Sequence, residues 1–125
     1  MQIKQTAIYR AFQKFDTPAG SVYLVNRHGN TRRCFSRECA LFHLAKFMVT
    51  RTFRRSGLRL RYPNIRISPG VEQLGDLTAE YHFAHERCVR RLRRLLARKR
   101  EIQKWNEKYD AWVAQREELM KQKPY

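Results

Sequence analysis

The sequence predicts an α+β fold: a small antiparallel β-meander, one packed amphipathic helix and a long basic C-terminal helix. Three observations carry that expectation. Short β-branched and aromatic runs separated by turn residues fill the first third of the chain. An apolar stripe at three- and four-residue steps follows over residues 37–54. From Leu77 to Lys123 the chain then holds neither Gly nor Pro.

In the first third, Ile3, Ile8, Tyr9, Phe12 and Phe15 alternate imperfectly with polar residues and predict a first strand over 3–15. Asp16-Thr17-Pro18-Ala19-Gly20 supplies turn chemistry. Val22-Tyr23-Leu24-Val25 is a second strand, His28-Gly29-Asn30 a tight turn, and Thr31 to Phe35 the antiparallel return. Ser36 is suited to cap the helix that follows, with Glu38 in the first turn where the helix dipole favours negative charge. Leu41, Leu44, Ala45 and Met48 form its packing stripe, while Phe42, Phe47 and Phe53 fall outside it. The helix should therefore meet the meander on one side and the last helix on another.

Residues 56–75, with Gly57, Pro63, Pro69, Gly70 and Gly75, have no helical period and predict a long irregular connection. Leu58, Leu60, Tyr62, Ile65 and Ile67 alternate there with arginines, so a short extended stretch fits. Asp76 is the expected N-cap of the last helix. Along it Tyr81, Cys88, Leu95, Ile102 and Tyr109 recur every seven residues, interleaved with His85, Leu92, Lys99, Asn106, Val113 and Met120, a heptad-like seam. Unbroken, it would run about 65–70 Å. That is more than so small a core can cover. Residues 1–75 thus hold the meander, packed helix and arginine-rich loop, and 76–125 the long helix, all as one domain.

Charge is the strongest functional signal. The 125 residues carry a formal net charge of +16, with 19 arginines against 8 lysines. Solubility does not require so much charge of one sign, and guanidinium groups bind phosphate or carboxylate through paired hydrogen bonds. Arg87 to Arg100 contains eight basic residues in fourteen and no acid. An ordinary solvated helix face mixes signs to gain i,i+4 pairs. Here Arg87, Arg90, Arg91, Arg94 and Arg98 are candidate anion contacts, with Arg54, Arg55, Arg59, Arg61 and Arg66 as a second ridge in or beside the loop. Residues 101–125 balance five basic against five acidic residues. There Trp105, Tyr109 and Trp112 follow i, i+4, i+7, the spacing of a helix that docks in a partner's groove.

Other chemistry is poorly represented. Cys34, Cys39 and Cys88 are an odd set without a Cys-x-x-Cys pair, which does not suit a secreted disulfide framework. His82, His85 and Cys88, or Cys34, Cys39 and His43, lack the spacings of structural zinc, and no metal or cofactor is expected. Eleven acids, none clustered, do not suit two-metal nuclease chemistry. Neither a Gly-rich phosphate loop nor a convincing nucleophile–base pair is present. The first residues, Met-Gln-Ile-Lys-Gln-Thr, hold no apolar signal region and no apolar run approaches a membrane span, so the expectation is a reduced cytoplasmic protein.

From Val22 to Ala40 the chain places in order a strand, a Gly-x-x-Arg turn (Gly29 to Arg32), an aromatic (Phe35) and a Ser-Arg-x-x-Ala helix start (Ser36 to Ala40). This order, within residues 20–50, resembles small early-region proteins of lambdoid phages. Together with the basic helix it is similar to the phage anti-RecBCD accessory proteins. The resemblance implies a non-enzymatic modulator that binds a host recombination nuclease and alters its processing of DNA ends. It implies a host cyclophilin as a further partner, to which Pro69 would be offered, and assigns the Arg87–Arg100 face to the nuclease complex or its DNA. The alternative is a plain basic module gripping DNA or RNA through arginine–phosphate contacts. A helix-paired dimer seamed by Leu92, Leu95, Ile102, Tyr109 and Val113 is a third expectation.

Overall fold

The computed structural model describes residues 7–125 as α1 (Ala7–Ala11), β1 (Phe12–Thr17), β2 (Gly20–Arg27), β3 (Asn30–Cys34), α2 (Arg37–Ser56), β4 (Ile65–Ser68), β5 (Val71–Gln73) and α3 (Ala79–Lys121). The fold is α+β, with two small antiparallel sheets and a long C-terminal helix. The strand expected over 3–15 is corrected. Ile3 lies outside the described residues, residues 7–11 form a helical turn, and the strand starts at Phe12. That turn buries Ala11 and packs Ile8 against the core, which an extended chain with alternating faces could not do for both at this spacing.

β1, β2 and β3 form a meander joined by two-residue turns. At the second turn His28 and Gly29 have φ of 52° and 78°. Two successive positive φ values are the signature of the turn whose twist matches a tight hairpin. The register sets Phe12 opposite Val25 and Tyr23 opposite Cys34. Phe12, Val25 and Cys34 are buried in the core.

α2 begins as its sequence suggests. The Ser36 hydroxyl accepts a hydrogen bond from the Cys39 amide at 3.2 Å. It ends at Gly57, whose left-handed φ of 69° lets the Leu58 amide reach the Phe53 carbonyl at 2.9 Å. Leu41, Leu44 and Ala45 are buried and meet Val25, Cys34, Leu92 and Leu96 in one cluster. Met48 is only half-buried, whereas Phe53, outside the expected stripe, closes a second cluster with Val49 and Tyr81. α2 is thus the element between meander and long helix. Each buried leucine there contributes about 1.5–3 kcal/mol.

The expected irregular loop contains a β4–β5 hairpin. Pro69 followed by Gly70 at φ 77° turns its corner. Its strand residues are all exposed, so backbone pairing holds the hairpin rather than a core. The loop is tied to the start of α3: the Tyr62 amide donates to the Asp76 carbonyl at 2.8 Å and the Thr78 amide to the Leu60 carbonyl at 3.0 Å. Thr78, not Asp76, caps α3, its hydroxyl oxygen accepting from the Tyr81 amide at 3.3 Å. The same hydroxyl donates to the Arg59 carbonyl at 3.0 Å, a tertiary bond that favours Thr78 over an equally suitable Asp76.

α3 is continuous over its 43 residues, roughly 65 Å. Its buried residues are Tyr81, Leu92 and Leu96, with Cys88 and Val89 packed alongside. The expected heptad seam therefore splits: Leu92 of the interleaved row is buried, whereas the other row leaves the core after Cys88, so that Leu95, Ile102 and Tyr109 are exposed. A straight helix turns about 100° per residue, so a strict seven-residue repeat drifts about 20° per heptad off any fixed face. Beyond residue 103 no residue of α3 is buried, and only Asn106 and Val113 are half-buried. No helix among the described residues is long and apolar enough to cross a membrane.

Candidate nucleic-acid and partner interface

Because Tyr81, Leu92 and Leu96 face the core, the positions turned away from them along α3 are determined by helical geometry. Counting in steps of three and four from Arg87 gives Arg91, Arg94, Arg98, Ile102, Trp105, Tyr109, Trp112 and Arg116. Residues at this spacing share one face. The arginine run and the aromatic run, distinct in composition, are thus two halves of one surface about 44 Å long.

Side-chain geometry agrees at both ends. The Trp105 and Tyr109 rings stack at 5.3 Å and 14°, and Tyr109 and Trp112 lie 6.0 Å apart. The Arg116 guanidinium sits 5.8 Å over the Trp112 ring. Trp105 is 55% exposed and Trp112 53%, a large apolar area presented to water. At the other end Arg87, Arg91 and Arg94 line a groove between α2 and α3 of about 660 Å³. Its remaining wall is mostly apolar, from Met48, Val49, Phe53, Ala84 and Leu95.

The arginines are mostly uncompensated. Among the described residues the ion pairs are Arg93 with Glu38 at 3.4 Å and Arg98 with Glu101 at 3.3 Å, both exposed. Exposed pairs of this kind are worth about 0–1 kcal/mol. Arg87, Arg90, Arg91, Arg94 and Arg100 have no carboxylate partner among the described residues. The free row is therefore Arg87–Arg91–Arg94, with Arg98 partly neutralised by Glu101.

A second cationic surface lies where the β2–β3 turn meets the end of α2. His28, Asn30, Arg51, Arg54 and Arg55 line a hollow of about 350 Å³ there. Slight desolvation, then the Arg27, Arg51 and Arg55 charges, hold the exposed His28 imidazole below its ordinary pKa. Arg54 and Arg55 were legible from the sequence. Arg51 shares their α2 face at helical spacing, whereas Arg27 and His28 join them only because the hairpin folds back, which no local motif announces.

The loop arginines divide. Arg61 donates to the Gly75 carbonyl at 3.0 Å and so serves the loop's own closure. Arg59 and Arg66 are exposed. Pro69 is exposed at the hairpin corner, well away in sequence from both arginine surfaces. For the expected dimer seam, Leu92 is already buried in the core, while Leu95, Ile102 and Tyr109 remain exposed.

The cysteines, His43 and His85 take structural places. His85 bonds the Phe42 carbonyl at 2.9 Å and packs edge-on against its ring. Burial, then Arg32, Lys46 and His85, lowers the His43 pKa. Burial raises the Cys88 thiol, whose sulfur lies 4.0 Å from Met48 Sδ. Burial and the Cys39 thiol beside it push Cys34 up to about 11. Among the described residues no three His, Cys, Asp or Glu side chains gather as a metal site. No protein-family model, curated protein or solved structure matches the chain.

Proposed function

We propose that this protein is a non-enzymatic modulator that binds a nucleoprotein complex working on DNA ends, of the RecBCD-like host nuclease type, in the cytoplasm. The observation that carries the reading is the single α3 face on which Arg87, Arg91, Arg94 and Arg98 run into Ile102, Trp105, Tyr109 and Trp112. Arginines without local counter-charges suit phosphate, and exposed tryptophan and tyrosine suit a groove on a protein. A target offering both within about 44 Å is nucleic acid held in a protein. Pro69, presented at the β4–β5 corner, is the residue offered to a cyclophilin-type partner.

The test adds the purified chain to a RecBCD-type nuclease degrading linear duplex DNA. Inhibition or altered end processing that is lost in Trp105→Ala and Trp112→Ala supports the reading. Unchanged degradation at saturating protein contradicts it.

A second reading, a plain DNA- or RNA-binding module, is favoured by the cationic hollow of Arg51, Arg54, Arg55 and His28, whose lining includes the half-buried Phe47. Such a module would grip any duplex or RNA, lose it steeply with salt, and be indifferent to the two tryptophans.

A further inference from the structure

About 100° round α3 from Arg98 and its row, Lys99 occupies an unusual position. Its ammonium lies 4.2 Å from the centre of the Tyr9 ring, it is partly buried, and burial lowers its pKa. No carboxylate among the described residues pairs with it. A partly desolvated cation with only an aromatic face for compensation is costly to keep unless a counter-charge arrives from elsewhere.

Three further cations converge on the same place. Lys14 from β1, Arg37 from the first turn of α2, and Lys99 and Arg100 from α3 line one hollow of about 350 Å³. Phe12 and Tyr23, whose rings lie 5.7 Å apart, form the rest of its wall with Leu96 and Gln103. No acidic residue lines it. The hollow therefore combines four positive side chains from three elements with an aromatic side, and its concave shape separates it from a solvated helix face.

We propose that this hollow binds a phosphate monoester, and that its ligand is the terminal phosphate of a nucleic-acid strand. A monoester carries nearly two charges and three acceptor oxygens, which four converging cations can satisfy together. A phosphodiester within a strand offers one charge and no free end to enter a hollow. The half-buried Tyr23, backed by the core ring of Phe12, lines the side against which the terminal nucleoside would rest. The inference rests on the proposed function only for the source of the phosphate; the pocket's chemistry stands by itself.

The experiment measures full-length protein binding to oligonucleotides identical except for a 5′-phosphate or a 5′-hydroxyl, with adenosine monophosphate and inorganic phosphate as competitors. The proposal expects the phosphorylated strand to bind about ten- to a hundredfold more tightly. Lys99→Gln should abolish that preference and leave thermal stability equal or higher, because an uncompensated, partly buried charge has been removed. Competition by both adenosine monophosphate and inorganic phosphate assigns the preference to the terminal phosphate group itself and supports the pocket. Equal affinity for the two strands, or a preference that survives Lys99→Gln, overturns the pocket. A clear loss of stability in Lys99→Gln assigns Lys99 to the Tyr9 packing instead and also overturns it. Binding of the 5′-hydroxyl strand that depends on Arg91 but shows no terminal preference sinks the pocket while leaving the proposed function intact.

Discussion

Replacing Arg87, Arg91 and Arg94 together with glutamine tests the arginine half of the α3 face quantitatively. These three are the row members without a carboxylate partner among the described residues, whereas Arg98 is held by Glu101. Arg87 to Arg98 spans about 16 Å of helix. A DNA strand presents a phosphate about every 3.4 Å along its axis, so enough phosphates pass for each arginine to meet one. Each phosphate contact contributes about 0.9 to the slope of log affinity against log salt. Removing three should flatten that slope by about 2.7, whatever the rest of the surface contributes. Between 50 and 200 mM salt the wild-type protein should lose about 40-fold more affinity than the triple variant. Fluorescence anisotropy of a labelled duplex across a salt series measures both slopes. Stability should be unchanged or slightly improved, since like charges at i,i+4 repel by a few tenths of a kcal/mol, roughly. A slope that changes by less than one, with the variant folded, refutes the assignment of this row to phosphate.

The remaining predictions separate packing from surface chemistry. Leu92→Ala should cost about 2–5 kcal/mol in chemical denaturation, because Leu92 is 2% exposed, whereas Leu95→Ala should cost well under that. The reverse order would restore the heptad seam as the core. Trp105→Ala and Trp112→Ala should shift stability by no more than about 0.5 kcal/mol in thermal melts, because neither ring is buried. Cys34, with its thiol pushed up to about 11, should alkylate far more slowly than an exposed thiol at pH 8, as read by mass spectrometry. A raised folded-state value means that its contribution to stability is whole below the ordinary thiol value and is lost as pH rises through about 11. Denaturation midpoints across that window should fall with rising pH, and less steeply in Cys34→Ala.

Much of the architecture is visible in local chemistry. Ser36 and Gly57 mark both ends of α2, and His28-Gly29 marks the hairpin, because capping and left-handed turns depend on one or two residues. What depends on distant partners is not visible. Thr78 and Asp76 are both suitable caps, and the bond from Thr78 to the Arg59 carbonyl decides between them. Leu95 and Ile102 satisfy a seven-residue repeat as well as Leu92 does. Only the contacts with α2 select Leu92 and Leu96, four residues apart, as the buried pair.

The candidate site divides in the same way. The arginine and tryptophan runs are legible as separate signals in composition. Their union follows from counting helical steps across the change in composition at Ile102. Lys14, Arg37, Lys99 and Arg100 are scattered over some 85 positions; Arg37 reads as part of a helix start and Lys99 and Arg100 as the end of the basic run, and no motif joins the four. Their convergence is a property of the fold alone.

The chain contains only two tryptophans, both on the α3 face, so indole emission reports on that surface without labelling. Titrating the protein with a RecBCD-type nuclease loaded on linear duplex should shift the emission to the blue and protect it from acrylamide quenching, while duplex alone leaves it nearly unchanged. Saturable binding to the loaded complex with the emission still solvent-exposed would contradict the account.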